Sequence, residues 1–168
     1  MKSFVLLFLI GFGLISLAQE TDKQETFDQM VRSYYKNTVQ LIYPHQLYKK
    51  IIAREKIYLL DTRETKEFNV SSLKNAIHVG YDNFKIDNVK GLDKKATVIV
   101  YCTIGARSEN IGEKLKKDGF TNVHNLYGGL VHWKNEGYKV FNNGTETYNI
   151  HVYSKKWGKW LNVGKPVY

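Results

Sequence analysis

The chain has 168 residues, of which 43% are hydrophobic and 24% charged, and its formal net charge is +9. This length suits one medium-sized domain with its own core, and the apolar fraction argues against a disordered chain. The lysines are scattered, which argues against a nucleic-acid groove, and the single cysteine excludes an internal disulfide.

The first predicted element is a secretory signal peptide over residues 1–18. A short basic start precedes an apolar run, and Ser16 and Ala18 are small residues at the positions that a signal peptidase recognises. The apolar run is shorter than the roughly 20 residues of a spanning helix, so no stable membrane insertion is expected after cleavage. The mature protein would begin at Gln19 and is expected to be exported, most simply to a bacterial periplasm.

An amphipathic helix is predicted within residues 19–37, and strands then alternate with helices over residues 38–140. The predicted strands are 38–43, 57–61 and 96–101, and the predicted helices start at Pro44 and span 62–68 and 108–118. Nearly continuous apolar strands are typical of sheets that are covered on both faces. The pattern predicts an α/β fold with a mainly parallel central sheet flanked by helices on both faces.

The only cysteine of the chain lies between an apolar strand and a helix. Cys102 ends the strand, and Arg107 follows five residues later. A helix N-terminus and an adjacent arginine stabilise negative charge on sulfur, and Gly105 allows the loop to curl around its first residue. A lone cysteine is more often a small buried hydrophobe. Here the coincidence of strand, glycine, arginine and helix favours a reactive cysteine.

This loop resembles the active-site loop of single-domain rhodaneses, which follows the pattern C-x-x-G-x-R-S. Cys102, Gly105, Arg107 and Ser108 match it. Residues 126–133 match a later family pattern, L-x-G-G-x-x-x-W. The resemblance implies the rhodanese-like fold over residues 38–140.

A second family pattern, D-x-R-x-x-x-E-[FY], matches Asp61, Arg63 and Glu67. Asp61 and Arg63 would lie at the carboxyl end of their strand, the edge where open α/β sheets bind ligands. We interpret Asp61 and Glu67 as braces between loops, whereas Arg63 could be a brace or a source of positive potential near the cysteine.

A third segment departs from the family pattern H-I-P-G-A. Ser72, Lys74 and Asn75 replace its histidine, proline and glycine. Asparagine tolerates a left-handed backbone, so the turn can be kept.

The resemblance implies a sulfurtransferase. Cys102 would take a sulfane sulfur from a small anionic donor such as thiosulfate and pass it, through a persulfide, to a thiophilic acceptor: cyanide, a thiol or a protein. No metal site, cofactor or nucleic-acid partner is predicted. The persulfide-binding or anion-binding loop would comprise Thr103, Ile104, Gly105, Ala106, Arg107 and Ser108.

Two other functions are alternatives to sulfur transfer. Cysteine-dependent phosphatases have five residues between cysteine and arginine, whereas this chain has four, and the smaller loop suits sulfur better than phosphate. The alternative from another class is a non-catalytic rhodanese-like module that binds a partner or senses redox state through Cys102.

The aromatic-rich extension, residues 141–168, carries apolar bulk that needs burial. Residues 147–153 alternate like a strand, with Tyr148, Ile150 and Val152 on one face. One hypothesis is that the extension covers the mouth of the active site, with His151 near the sulfur. The alternative, which we favour from sequence alone, is packing against the sheet edge or the N-terminal helix.

Overall fold

The structure, a computed structural model, describes residues 27–168, which fall into two units. In the first unit, residues 27–33 are helical, and Arg32 Nε donates to Asp28 at 2.7 Å. The predicted signal peptide, residues 1–18, and the first part of the predicted helix within residues 19–37 lie outside the described residues. Within residues 27–168, no helix is long and apolar enough to cross a membrane.

The second unit, Tyr35–Tyr168, is built on a five-stranded, fully parallel sheet with the order β1-β5-β4-β2-β3. Its strands are β1 (Gln40–Ile42), β2 (Ile57–Asp61), β3 (Ile77–His78), β4 (Thr97–Tyr101) and β5 (Val123–Leu126). The predicted α/β fold with a parallel central sheet is confirmed. Since Asp61 pairs with Tyr101 in the register, β2 and β4 end side by side, and both following loops emerge at one sheet edge.

The helices of the domain alternate with these strands. They are α1 (Pro44–Ile52), α2 (Thr65–Phe68), α3 (Ala106–Lys117) and α4 (Gly129–Asn135), with a 3-10 turn at Ile86–Val89. Ile111 and Leu115 of α3 pack into the core cluster with Val98 and Val100 of β4. Their burial holds the start of α3 directly behind the end of β4.

Two helices begin at different residues from those predicted. α3 begins at Ala106, before the predicted residue 108, because Gly105 turns the chain with a φ of +99°. α2 begins at Thr65 instead of residue 62, because the Thr62 N–H continues the sheet by donating to the Tyr101 carbonyl at 3.0 Å. In the segment that departs from the family pattern H-I-P-G-A, Asn75 adopts the left-handed conformation, with a φ of +61°.

The extension contains two small sheets. β6 (Val140–Asn142) and β7 (Thr145–Thr147) form an antiparallel hairpin, and β8 (Asn149–His151) pairs in parallel with β9 (Lys165–Val167). A short helix, α5 (Lys155–Gly158), lies between β8 and β9.

The prediction that Tyr148 shares a face with Ile150 and Val152 is wrong. Ile150 and Val152 are fully buried, whereas Tyr148 is 66% exposed. The strand begins only at Asn149, so its alternation does not reach Tyr148. Instead, the Lys134 ammonium lies over the Tyr148 ring, 4.7 Å from its centroid.

Candidate active site

Cys102 follows β4 directly and precedes α3 by a tight loop. The Gly105 N–H donates to the Cys102 sulfur at 3.1 Å, so the loop curls around the thiol as the sequence predicts. The cysteine is only 1% exposed. The first-turn N–H groups of α3 have no intrahelical acceptors, which makes this side of the sulfur suited to negative charge.

A buried carboxylate from α2 braces this loop. Arg107 donates to both oxygens of Glu67, from Nη1 at 2.8 Å and from Nη2 at 2.7 Å. Thr103 Oγ1 donates to Glu67 at 3.0 Å and lies 3.1 Å from Arg107 Nη2. Arg107 therefore closes the loop by bonding across it. Its two N–H donors bind one carboxylate oxygen each, which is the bidentate geometry that a guanidinium favours.

The charges of this pair stabilise each other. Burial of Glu67 acts to raise its pKa, but the hydrogen bonds and charge of Arg107 outweigh burial, and the pKa is lowered. For Arg107, burial acts to lower the pKa, but the hydrogen bond with Glu67 and the nearby Cys102 raise it overall. Both groups are therefore charged at neutral pH.

The opposite side of the loop is held by two other polar residues. The Tyr35 hydroxyl donates to the Ile104 carbonyl at 2.7 Å and accepts from the Gly128 N–H at 2.9 Å. Burial is the main reason that the pKa of Tyr35 is raised well above its ordinary value, so the hydroxyl stays protonated. Asn125 donates to the Gly105 carbonyl at 2.9 Å and accepts from Ser108 Oγ at 2.7 Å.

The start of α4 packs against the cysteine. The Leu130 N–H donates to the Cys102 carbonyl at 2.9 Å, and the Val131 N–H donates to the Thr103 carbonyl at 3.1 Å. A Cβ at Gly129 would lie 2.4 Å from the Cys102 carbonyl oxygen, so any side chain at this position would clash with the loop backbone. Gly129, the second glycine of the L-x-G-G pattern, thus allows close approach to the loop.

The structure brings the six predicted loop residues together, with Ala106 as the first residue of α3. Asp61 and Arg63 form a separate, fully buried pair. Arg63 donates to Asp61 Oδ2 at 2.6 Å and to the Ser71 carbonyl, and within residues 27–168 it makes no hydrogen bond to the cysteine loop. Asp61 neutralises Arg63 within this pair, which braces the end of β2.

The extension also reaches the loop. The Tyr153 ring lies over the Arg107 guanidinium, 5.1 Å from Cζ to the ring centroid. β8 lies against α2, and His151 is buried. Burial lowers the pKa of His151, and the positive charges of nearby Lys66, Arg63 and Arg107 act in the same direction, against Glu67.

Sequence reasoning missed several residues of this site. Glu67 was predicted to be a brace, but its partner Arg107 is 40 residues away and was not identified. Tyr35 and Asn125 carried no motif of their own, although Asn125 directly precedes the L-x-G-G pattern. Only their polar character next to predicted strands could have marked them.

Comparison with known proteins identifies the family. The family described as rhodanese-like domain matches residues 44–136, more than half of the chain. The fold, the loop and this match together show that the chain belongs to the rhodanese-like domain family.

Relatives of this chain carry names for different activities. YtwF of Bacillus subtilis, which carries a provisional sulfurtransferase name, is 33% identical over 90 residues, covering 54% of this chain and 85% of that protein. The thiosulfate sulfurtransferase GlpE of Coxiella burnetii is 28% identical over 85 residues, covering 51% of this chain and 78% of that protein.

A tRNA uridine(34) hydroxylase of Cytophaga hutchinsonii is 33% identical over 88 residues, which cover 50% of this chain but only 28% of that protein. Among solved structures, a rhodanese-like domain protein from Staphylococcus aureus superposes with a TM-score of 0.53 at 26% identity, covering 58% of this chain and 94% of that chain. These matches support the family. The family match itself ends at residue 136, so residues 141–168 lie outside it.

Proposed function

We propose that the protein is a sulfurtransferase that carries a sulfane sulfur on Cys102. The observation that carries this proposal is the cradle around the sulfur: the Gly105 N–H donates to it, and the start of α3 faces it. A persulfide bears its negative charge on the outer sulfur, and the Gly105 N–H together with the unsatisfied first-turn N–H groups of α3 would stabilise this charge as it forms.

The proposed reaction has two half-reactions. The Cys102 thiolate attacks the outer sulfur of thiosulfate, the sulfur–sulfur bond of the donor breaks, and sulfite leaves with the electron pair. In the second half-reaction, cyanide or a thiolate attacks the terminal sulfur of the persulfide, and the Cys102 thiolate is released. The named relatives include both a thiosulfate sulfurtransferase and a tRNA hydroxylase, so thiosulfate serves as the test donor and cyanide as the test acceptor.

The experiment is intact mass spectrometry of the reduced protein before and after thiosulfate. We expect the wild type to gain one sulfur atom and to lose it when cyanide is added, with thiocyanate as the product. Cys102→Ser is the control, because it removes the only thiol of the chain and must gain nothing. A folded, reduced wild type that gains no sulfur would contradict the proposal and favour the binding or redox-sensing function.

We also propose that the protein acts outside the cytoplasm, on the strength of the basic start, apolar run and small residues within residues 1–18. The same mass measurement tests this proposal when the full chain is expressed in a bacterial host. The mass is expected to correspond to a chain that begins at Gln19.

A further inference from the structure

The part of the chain beyond the family match contributes directly to the candidate site. The match ends at residue 136, yet Tyr153 lies on Arg107, the residue that closes the cysteine loop. An arginine under an aromatic face is a favourable pair. The extension is therefore part of the surroundings of Cys102 and not a separate appendage.

Tyr153 is held over the loop by an unusual backbone conformation. Its φ is +64°, a region that residues other than glycine rarely adopt. The Ser154 N–H donates to the Val152 carbonyl at 2.7 Å, which forms a tight turn centred on Tyr153. The Tyr153 N–H donates to His151 Nδ1 at 3.1 Å, so a buried side chain fixes the turn.

The extension is anchored well enough to hold this position. The Val152 N–H donates to the Val167 carbonyl at 3.0 Å, and Asn135 of α4 donates to the Trp160 carbonyl at 2.7 Å. Ile150 and Val152 are fully buried on either side of His151. The turn that carries Tyr153 thus stands on a packed base.

The exposure of the site residues indicates where a reagent can enter. Cys102 is 1% exposed, Arg107 keeps 20% of its side chain in solvent, and Tyr153 is 55% exposed. Among the loop residues 102–108, Ala106 and Arg107 are the partly exposed ones, and Tyr153 lies against Arg107 at this rim.

We propose that Tyr153 is a specificity-determining residue, which narrows the approach to Cys102 so that small reagents reach the sulfur and bulky ones are hindered. This inference rests on the proposed function for its consequence, namely a preference for small sulfur acceptors over bulky thiols. The inference itself concerns steric access to the Cys102 thiol, and this access can be measured without any sulfur transfer.

The first test is alkylation of the reduced full chain, in which Cys102 is the only thiol. The rate constants for iodoacetamide and for a fluorescein maleimide give a bulky-to-small ratio for each variant. Tyr153→Ala is expected to raise this ratio roughly tenfold, the scale of discrimination that one pocket contact supplies. Tyr153→Phe keeps the ring and is expected to match the wild type.

Tyr148→Ala is the matched control. Tyr148 is also an exposed aromatic residue of the extension with a cation over its ring, but that cation is Lys134 of α4 instead of Arg107. Its ratio is expected to equal that of the wild type. An unchanged ratio in Tyr153→Ala, or an equal rise in Tyr148→Ala, would overturn the inference, since the second outcome would reflect general loosening of the extension.

The second test uses turnover with thiosulfate as donor and compares kcat/KM for glutathione with that for cyanide. Tyr153→Ala is expected to raise the glutathione-to-cyanide ratio, and Tyr148→Ala is not. Failure of the proposed function would appear as no persulfide in the wild type, whereas the alkylation ratio would still decide whether Tyr153 restricts access. Active enzymes with identical acceptor ratios would contradict the role of Tyr153 in specificity.

Discussion

Glu67 determines the shape of the cysteine loop, because one buried carboxylate binds both Arg107 and Thr103. Removing its charge would leave the guanidinium facing neutral oxygen and nitrogen atoms in a buried place. We expect Glu67→Gln to lower the free energy of unfolding by about 1–3 kcal/mol, since the arginine side of the pair retains some solvent. Urea unfolding at neutral pH measures this loss.

The matched control is Glu55→Gln, which makes the same change in a surface ion pair. Lys50 lies 2.8 Å from Glu55, but both side chains reach solvent, with 33% of the Lys50 and 46% of the Glu55 side chain exposed. Exposed pairs contribute at most about 1 kcal/mol, so this variant should remain close to the wild type. Equal losses in the two variants would contradict the bracing role of Glu67.

The contribution of Glu67 to the free energy of unfolding depends on pH. Because Arg107 holds the pKa of Glu67 below its ordinary value of about 4.5, the stabilisation is complete above that value and is lost as pH falls through the lower, folded-state pKa. The difference between wild type and Glu67→Gln should therefore be full at pH 7 and shrink in acid below about 4.5. A difference independent of pH would indicate a packing effect.

At the scale of elements, the start of α4 forms a wall of the site. Gly129 has a φ of +56°, and an added Cβ would meet the Cys102 carbonyl oxygen at 2.4 Å and the Thr103 carbonyl oxygen at 2.7 Å. We expect Gly129→Ala to lose about 2–5 kcal/mol of unfolding free energy, from backbone strain and overpacking together. It should also slow persulfide formation, because the loop carbonyls must move.

Gly137→Ala separates these two contributions. Gly137 also has a positive φ, +84°, but a Cβ there would meet nothing within 4 Å. Strain alone predicts a loss of about 1–2 kcal/mol, with persulfide formation unchanged. If both variants lost the same amount, close packing of Gly129 on the cysteine loop would have no energetic role. Urea unfolding and the mass assay measure both quantities.

The elements that sequence predicted well are those whose signal is local. The apolar run at 57–61 becomes β2 over the same residues, and the helix that Pro44 opens is α1. The contacts that complete the site are not local: Tyr35 reaches Ile104 across 69 positions, and Glu67 reaches Arg107 across 40. Periodicity along one chain contains no information on such pairings, so these partners could not be named from sequence.

The extension shows the same limit more strongly. Alternation over residues 147–153 correctly indicated a strand, but the strand is only Asn149–His151, paired with Lys165–Val167, whereas Thr147 ends β7 and pairs with Val140. A positive φ at Tyr153 turns its ring onto Arg107. No sequence pattern predicts a positive φ at a tyrosine. The family resemblance could not help, because the family match stops at residue 136.

At the scale of the whole molecule, the formal net charge of +9, which becomes +8 when Lys2 is lost with residues 1–18, acts on any anionic donor. A net positive protein raises the rate at which small anions encounter it, and salt screens this attraction over a distance that shortens as ionic strength rises. Glu67 and Asp61 neutralise the two arginines nearest the site, so the attraction comes from the surface as a whole.

We therefore expect the second-order rate constant of persulfide formation from thiosulfate to fall roughly three- to tenfold between about 20 mM and about 500 mM sodium chloride. Alkylation of Cys102 by iodoacetamide, which is uncharged, is the control and should change little over the same range. Mass spectrometry of samples quenched at successive times gives the rate constant of each reaction. Parallel falls would mean that salt alters the loop itself, whereas a flat thiosulfate rate would show that the basic surface has no part in delivering the donor.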